Sequence, residues 1–250
     1  MITKARIKLI KSLEQRKQRN LQHLFVAEGP KLVEELLATM QPYYIAALPE
    51  WWTQNRPLVK SACEQDTITP EELQRASLLR TPQQVIALFP IPDYKFDTSI
   101  AQRELCLALD GVQDPGNIGT ILRIADWFGI HNVICSEDTV DVYNPKAVQA
   151  TMGALARVKV HYTDLAALFR QCNAPIYGTL LDGDNIYEQE LGRDGFIVMG
   201  NEGNGLSQTI REMVTHKLLI PNYPIGAKTT ESLNVAIATS IVCSEFRRRQ

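Results

Sequence analysis

From residue 105 onward, short apolar strands alternate with amphipathic helices, and this alternation constrains the fold more than any other feature of the chain. Strands that alternate with helices form a parallel sheet with helices on both faces, which is an α/β fold. Ligands of such sheets bind outside the carboxyl ends of the strands, so the loops there should carry the function. The pattern predicts strands at 105–109, 132–135, 176–179, 196–199 and 217–220, and helices at 117–128, 164–171, 207–214 and 232–248.

The first third of the chain predicts a second, smaller α/β unit. Strands are expected at 23–28, 43–48 and 85–89, with helices at 31–40 and 69–80. Residues 89–100 contain two prolines and two aspartates without a clear period, which is typical of a linker. With 250 residues, the chain suits two domains, which we place at 1–95 and 103–250 with a linker at 96–102.

Composition narrows the class of protein. Apolar residues are 45% and charged residues 22%, as in ordinary soluble globular chains. No run approaches the roughly 18 apolar residues of a membrane span, and the first residues lack the apolar core of a signal peptide. The five cysteines and four histidines are scattered without a CxxC pair, so we expect no metal site. These features predict a cytoplasmic protein without a membrane segment.

The net charge of -2 hides an uneven distribution. Residues 1–19 hold seven bases and one acid, Glu14, a net charge of +6. Apolar residues recur among the bases at helical spacing, which predicts a basic amphipathic helix. Such a helix suits either a solvated face or contact with a phosphate backbone.

The loop after the first strand of the larger unit contains Asn117 and leads into a helix. Arg123 lies inside an otherwise apolar turn of that helix, where an arginine often does no more than extend its charged end to solvent. The glycines of this loop do not follow the GxGxxG spacing, so a dinucleotide cofactor is poorly supported.

Two further loops have unusual composition. Gly200, Gly203 and Gly205 surround Glu202 at the end of an apolar strand, where glycine permits close approach to a ligand. A tight turn into the next helix is the simpler interpretation, although three glycines and a carboxylate exceed its needs. A third loop, 219–236, leads into the final helix, and its serine and asparagine are also suited to simple helix capping.

Taken together, the three loops resemble the signature motifs of the SpoU/TrmH family of SPOUT-class RNA ribose methyltransferases. The first motif is matched by Asn117 and Arg123, and the second by Gly200-Asn-Glu-Gly-Asn-Gly-Leu-Ser207. The third is matched by Ile220-Pro221 and Ser232-Leu-Asn-Val235. The resemblance covers about residues 104–245. The stretch from 221 to 232 is a few residues longer than in many relatives, which predicts a reshaped pocket rim.

The first third resembles the family's substrate-binding domain, a small α/β unit like certain ribosomal proteins. Three short segments support this resemblance: Lys11-Ser-Leu, Phe25-Val-Ala-Glu-Gly29 and Thr81-Pro-Gln-Gln84.

The resemblance implies transfer of a methyl group from S-adenosylmethionine to a ribose 2′-hydroxyl of RNA. It also implies a trefoil knot in the C-terminal domain and a homodimer with active sites near the subunit interface. The two-domain layout favours ribosomal RNA, and transfer RNA remains the alternative. The apolar final helix is a candidate dimer surface as well as a core element, through Val235, Ile237, Ile241, Val242 and Phe246.

The resemblance assigns three groups of residues. The catalytic group is Arg123, Asn117, Glu202, Ser232 and Asn234. The cofactor-binding group is Thr179, Leu180, Gly200, Asn201, Gly203, Gly205, Ile220, Pro221, Ser232 and Leu233. The RNA-binding group, which combines the resemblance with the basic segment, is Lys8, Lys11, Arg16, Lys17 and Arg19, and the C-terminal arginines Arg247, Arg248 and Arg249 are further candidates.

General chemistry restricts what these residues can do. A guanidinium stays protonated in proteins and is a poor base, so we expect Arg123 to stabilise the developing alkoxide and to clamp phosphate. The other four catalytic candidates would orient the reacting groups, and Glu202 is alternatively a base. Two other functional classes remain as alternatives: a non-catalytic RNA-binding protein that retains the fold, and a nucleotide-cofactor oxidoreductase.

Overall fold

The computed structural model describes residues 1–59, 63–224, 230 and 232–249. The chain forms two compact units. The first comprises Met1–Asp93 and Asp141–Arg157, and the second comprises Tyr94–Val140 and Val158–Gln250. Nothing in the sequence pattern indicates that residues 141–157 belong with the first unit.

Elements up to residue 90 belong to the first unit. The helices and strands are α1 (Lys4–Ser12), α2 (Arg16–Gln22), β1 (Leu24–Glu28), α3 (Pro30–Leu37), β2 (Tyr44–Ala47), α4 (Pro49–Asn55), β3 (Glu64–Thr67), α5 (Pro70–Ala76) and β4 (Val85–Pro90). The sheet order is β1-β4-β2-β3. Strand β4 is antiparallel to both β1 and β2, while β3 is parallel to β2, so β1, β2 and β3 all run in one direction.

The later elements belong to the second unit, except α7. They are β5 (Leu105–Asp110), α6 (Pro115–Trp127), β6 (Asn132–Cys135), α7 (Pro145–Ala150), β7 (Lys159–Tyr162), α8 (Leu165–Gln171), β8 (Ile176–Asn185), β9 (Gly195–Gly200), α9 (Gln208–Met213), β10 (His216–Leu219) and α10 (Val235–Arg248). These six strands form a parallel sheet in the order β10-β8-β9-β5-β6-β7. This sheet confirms the α/β prediction.

Helices α6 and α10 pack against each other in the second unit. Asn234, which caps α10, bonds to Asn117 in the first turn of α6. At the other end Arg247 Nε donates to the carbonyl of Phe128 at 2.7 Å. Since their starts meet and their ends meet, the two helices run side by side in the same direction.

The basic N-terminal segment differs from the predicted single helix. It breaks after Ser12, and α2 begins at Arg16. The break coincides with a buried arginine: Arg19 is 1% exposed. Its Nη1 donates to the carbonyls of Leu13 and Glu14, each at 2.8 Å.

Arg19 is also paired with a distant carboxylate. Its Nε and Nη2 donate to Asp141 Oδ2 at 2.9 and 2.5 Å. The pairing attaches the segment 141–157 to α2 within the first unit. Assigning Arg19 to RNA is therefore wrong, because its guanidinium is buried and occupied by internal acceptors. Burying a charge is tolerable only when it is paired in this way.

The other four predicted RNA-binding cations differ in whether their side chains already bond to other residues of the protein. The Lys11 ammonium donates to the carbonyl of Ser77. Lys8, Arg16 and Lys17 are exposed and make no hydrogen bond or ion pair with any residue that the structure describes. These three predicted residues remain available to contact RNA.

The C-terminal arginines are mostly engaged within the second unit. Arg247 donates to Phe128 and Gly129 carbonyls. Arg248 pairs with Glu245, and Arg249 donates to Glu245 and to the carbonyls of residues 186, 187 and 189. The contacts of Arg247 and Arg249 anchor the end of α10 to the fold, which disfavours a role of these two residues in RNA binding. Among the described residues, Arg248 pairs only within its own helix, and it stays exposed.

The trefoil knot stays a prediction. Residues 225–229 and 231, which include most of the longer loop, lie outside the described residues. Among the residues that are described, no helix is long and apolar enough to cross a membrane.

Candidate active site

The parallel sheet brings three loops to one edge. Asp110 at the end of β5 is in register with Gly200 at the end of β9. Gly178 of β8 is in register with Val198 of β9, so the residues after Gly178 reach the same edge. Strand β10 runs parallel to β8 and ends at Leu219, where the third loop begins.

A cavity of about 450 Å³ lies at this edge, within the usual range of roughly 300–1,000 Å³ for small-molecule sites. Nine of the ten predicted cofactor-binding residues line it, and Pro221 does not. The nine are Thr179, Leu180, Gly200, Asn201, Gly203, Gly205, Ile220, Ser232 and Leu233.

The other lining residues are not among the predicted cofactor-binding residues. They are Leu181, Met199, Asn204, Leu206, Arg211, Leu219, Val235 and Ala238, together with the catalytic candidate Glu202. Most are ordinary apolar side chains whose only signal is adjacency to a motif. The polar exceptions are Asn204 and Arg211, and Arg211 forms an ion pair with Asp182 at 2.5 Å.

The second loop folds into a tight turn that requires glycine. Asn201 and Gly205 exchange two backbone hydrogen bonds of 2.8 and 2.9 Å. A Cβ on Gly200 would lie 2.3 Å from the carbonyl carbon of Gly205, which no side chain tolerates. Gly205 has a φ of +69°, in the left-handed region that favours glycine. The close backbone approach leaves this wall of the cavity free of side chains.

The Asn201 side chain fastens this turn to the first loop. Its Oδ1 accepts from the backbone N–H groups of Gly203 and Asn204 at 2.9 and 3.1 Å. Its Nδ2 donates to the carbonyl of Gly111 at 2.7 Å. The Asn201 side chain thus makes three hydrogen bonds to backbone groups, which favours a positioning role.

Glu202 is the centre of a hydrogen-bond network between the first and second loops. Its Oε1 accepts from Asn117 Nδ2 at 2.9 Å and from the N–H of Asp114 at 3.4 Å. Its Oε2 accepts from the N–H of Gln113 at 3.3 Å.

The network extends to the third loop through asparagine side chains. Asn234 Nδ2 donates to Asn117 Oδ1 at 2.9 Å, while Asn234 Oδ1 caps α10 by accepting from Ala236 and Ile237 N–H groups. The structure therefore connects Asn117, Glu202 and Asn234 in one hydrogen-bonded chain. Ser232, two residues before Asn234, lines the same cavity as Glu202.

The surroundings of Glu202 favour its ionised form. Partial burial by itself would raise the pKa of this carboxyl, but the hydrogen bonds from Asn117, Gln113 and Asp114 outweigh it, and the pKa is lowered from the usual value. A carboxylate that accepts several N–H donors is a stable anion and a weak base. The site therefore favours the interpretation of Glu202 as an anchor over the alternative of a base.

Arg123 is not part of this network. It lies on α6, six residues after Asn117, and its side chain is exposed. It makes no hydrogen bond or ion pair with any described residue, and it is not among the cavity-lining residues. Trp127, one helical turn further along α6, is 83% exposed, so the two side chains share an open face.

In the part of the chain that the structure describes, no group of three or more His, Cys, Asp or Glu side chains could hold a metal ion.

The lowered pKa of Glu202 predicts a pH-dependent contribution to stability. The carboxylate is favoured in the fold, so its contribution is present above the unfolded glutamate pKa of about 4.3 and is lost as pH falls through the lower folded pKa. The loss of unfolding free energy in Glu202→Gln, measured by urea titration, should be larger at pH 7 than at pH 3. Glu137→Gln, which removes an exposed carboxylate, controls for charge. An equal loss at both pH values would contradict the anchoring role.

Comparison with known proteins agrees with the site. The model of the SpoU rRNA Methylase family matches residues 104–244, which is more than half of the chain. The model of the MRM3-like substrate binding domain matches residues 4–87.

Individual relatives match over the whole chain. The 23S rRNA (guanosine(2553)-2′-O)-methyltransferase RlmP of Bacillus subtilis (strain 168) is 28% identical over 97% of this chain and 96% of its own length. A structure described as a TrmH-family RNA methyltransferase from Porphyromonas gingivalis is 40% identical, with a TM-score of 0.89 over 100% of both chains.

A third relative was solved with its cofactor. The SpoU methyltransferase AviRb from Streptomyces viridochromogenes, in complex with S-adenosylmethionine, has a TM-score of 0.85 and 25% identity over 99% of this chain and 98% of its own. These matches confirm the resemblance noted in the sequence motifs. The chain belongs to the SpoU rRNA methylase family.

Proposed function

We propose that this protein transfers a methyl group from S-adenosylmethionine to a ribose 2′-hydroxyl of ribosomal RNA. The observation that carries the proposal is the hydrogen-bonded chain Glu202–Asn117–Asn234, which joins all three loops beside one cavity. The RlmP relative, similar along its whole length, is named for this activity on 23S rRNA. A transfer RNA substrate is the alternative that the methyl-transfer assay distinguishes.

The cavity suits the cofactor on structural grounds. The glycine wall at Gly200 admits a flat ring close to the backbone, and Leu180, Met199, Ile220 and Leu233 supply apolar surface. We assign the cofactor to the nine predicted residues that line the cavity, with Pro221 as their neighbour at the start of the third loop. S-adenosylmethionine supplies a methyl group already activated by a sulfonium, so the protein has mainly to align the hydroxyl and exclude water.

Arg123 is the residue we assign to the developing negative charge of the 2′-oxygen. A guanidinium offers five N–H donors and stays charged, which suits stabilisation of an alkoxide and an adjacent phosphate. Its freedom from internal partners among the described residues leaves those donors available for RNA. Asn117, Glu202 and Asn234 then act by holding the loops in position, and Ser232, which lines the cavity, orients the reacting groups. The hydroxyl proton leaves to phosphate or water.

Transfer of labelled methyl groups from S-adenosylmethionine to ribosomal RNA and to transfer RNA tests the proposal. Arg123→Ala should lower the turnover rate by about 100-fold or more, as expected when a donor to a developing oxyanion is lost. Its affinity for S-adenosylmethionine should be unchanged, because Arg123 does not line the cavity. Arg193→Ala removes another exposed arginine and should leave turnover intact. Full turnover in Arg123→Ala would refute the assigned role.

We assign RNA binding to the first unit, with Lys8, Arg16 and Lys17 as phosphate contacts. These cations are exposed and lie on two successive helices of a segment with net charge +6. We place the RNA-binding domain at 1–95, the linker at 96–102 and the methyltransferase domain at 103–250, of which the segment 141–157 packs within the first compact unit. Ribosomal RNA as substrate implies a cytoplasmic protein.

Salt dependence tests the three cations. Each phosphate contact contributes roughly 0.7–0.9 to the slope of log affinity against log salt concentration. Replacing Lys8, Arg16 and Lys17 by glutamine should therefore reduce the slope for RNA binding by about 2 to 3. Glutamine at Lys95, Arg170 and Arg193, which are also exposed, is the matched control. An unchanged slope in the first triple variant would remove these residues from the RNA surface.

We propose a homodimer that covers the exposed face of the α6–α10 pair. Trp127 is 83% exposed on α6 and Ile237 is 56% exposed on α10, which is unusual for large apolar side chains on adjoining helices. Of the five predicted interface residues of α10, Val235, Val242 and Phe246 are buried within the chain, so core packing accounts for them. Ile237 and the half-buried Ile241 remain for a partner subunit.

Sedimentation equilibrium distinguishes a monomer from a homodimer. The unmodified protein should be a dimer, and Trp127→Glu combined with Ile237→Glu should yield a folded monomer, because the charges would be buried at the interface. Leu21→Glu changes an equally apolar residue that is 66% exposed in the first unit and should remain a dimer. A monomeric unmodified protein, or a dimer that survives the double substitution, would contradict the assignment.

A further inference from the structure

A second cavity lies in the first unit, at the edge of its sheet where β1, β2 and β3 end. Because these strands run in one direction and β4 runs in the other, the start of β4 lies at the same edge. This is the edge at which open α/β sheets commonly bind ligands. The cavity measures about 400 Å³.

Its walls are apolar and its polar groups are amides. Prolines and leucines supply the walls, three glutamines supply the polar groups, and no charged side chain is among the described lining residues. The lining comprises Pro30, Leu48, Pro70, Leu73, Pro82, Gln74, Gln83 and Gln84.

The backbone around the cavity is fixed. Gln84 has a φ of +49°, which is rare for a residue other than glycine. It is held there because its carbonyl accepts from the N–H of Leu48 at 2.8 Å. Such strain persists only where the surroundings impose it, and it is concentrated at functional sites.

The preceding loop is fixed by a buried carboxylate. Glu28, 4% exposed, accepts from the hydroxyl of Ser77 and from the N–H of Leu78, the latter at 2.8 Å. Lys11 donates to the carbonyl of Ser77. Gly29 N–H donates to the carbonyl of Val85 at 2.9 Å, directly after Gln84. The sequence segments Lys11-Ser-Leu, Phe25–Gly29 and Thr81–Gln84 therefore lie around one preorganised structure.

The glutamine amides are unused within the protein. The side chains of Gln74, Gln83 and Gln84 make no hydrogen bond with any residue that the structure describes, and all three are exposed. Each amide offers both an acceptor oxygen and a donor NH₂ group. An uncharged ligand with mixed donors and acceptors and a flat apolar face matches these walls and amides.

A nucleobase has these properties. Glutamine amides pair with base edges, and unstacked bases of single-stranded RNA are bound by stacking and by edge hydrogen bonds. Exposed Lys31, Arg75 and Arg80 flank the lining residues in sequence and provide positive charge for neighbouring phosphates, alongside the acids Glu50 and Glu71.

We propose that this cavity binds one unstacked base of a single-stranded RNA segment. The inference rests on the proposed function, because it assigns a base-binding subsite to the unit that is expected to bind the RNA substrate. It also implies that the protein prefers unpaired RNA to a perfect duplex.

Binding of fluorescent RNA to the full-length protein tests the inference. The probes are four single-stranded homo-oligomers of 12 nucleotides and a 12-base-pair duplex. Gln74→Ala combined with Gln83→Ala should weaken binding of the preferred single strand by about 10-fold, as expected for loss of a base-edge contact, without affecting the duplex. The matched control replaces Gln54 and Gln65, exposed glutamines of the same unit outside the cavity, by alanine.

A second measurement locates the contact. A 4-thiouridine oligomer should crosslink to residues 70–84 in the unmodified protein and in the control, and more weakly in the double variant. Equal affinities for both double variants, no binding of any single strand, or crosslinks only outside the first unit would each overturn the proposal. Binding of S-adenosylmethionine and methyl transfer are assayed separately, so a protein that transfers no methyl group would refute the proposed function while leaving the binding difference intact.

Discussion

The carboxylate of Glu202 is the group on which the arrangement of the candidate active site depends. Loops beyond strand ends lack the hydrogen bonds of a sheet, and their backbone groups need other partners. Glu202 supplies acceptors for the first loop through Gln113, Asp114 and Asn117, and Asn117 in turn accepts from Asn234 in the third loop. Three segments that are far apart in sequence are thereby held beside one cavity. The glycines of the second loop complete the arrangement, because only a bare backbone at Gly200 fits against Gly205.

This arrangement supports the division of roles that general chemistry predicts for the polar residues of the three motifs. Four of the five catalytic candidates, all but Ser232, are divided by their hydrogen-bond partners. Asn117, Glu202 and Asn234 are occupied by one another and by backbone groups, so they build the site. Arg123 has no such partner among the described residues and stays exposed on α6, which suits a group that meets RNA. The lowered pKa of Glu202 supports the same division, since a carboxylate stabilised by N–H donors is a poor proton acceptor.

The sequence predicts local structure well and long-range partners poorly. Periodicity places four of the five predicted strands of the larger sheet within one residue of their observed bounds, because burial on both faces of a parallel sheet leaves continuous apolar runs. It places the start of β8 correctly but ends that strand six residues too early, where most of its residues are polar or exposed. It misses β3, whose residues Glu64–Thr67 are polar and largely exposed at a sheet edge, and β7 at the edge of the other sheet. It also assigns Arg19 to RNA, since the partner that buries Arg19, Asp141, lies 122 residues away. The motifs identify most of the cavity, whereas its ordinary apolar lining, such as Met199 and Leu219, has no signal of its own.

The central claim is that the three loops form a site for methylation of a ribose hydroxyl in ribosomal RNA. The most direct test is a map of 2′-O-methylation across all stable RNAs, compared between cells that contain this protein and cells that lack it. We predict that cells lacking the protein lose methylation at a ribosomal RNA position, and that the unmodified protein restores it whereas Arg123→Ala does not. A map that is identical at every position in the two kinds of cell would contradict it.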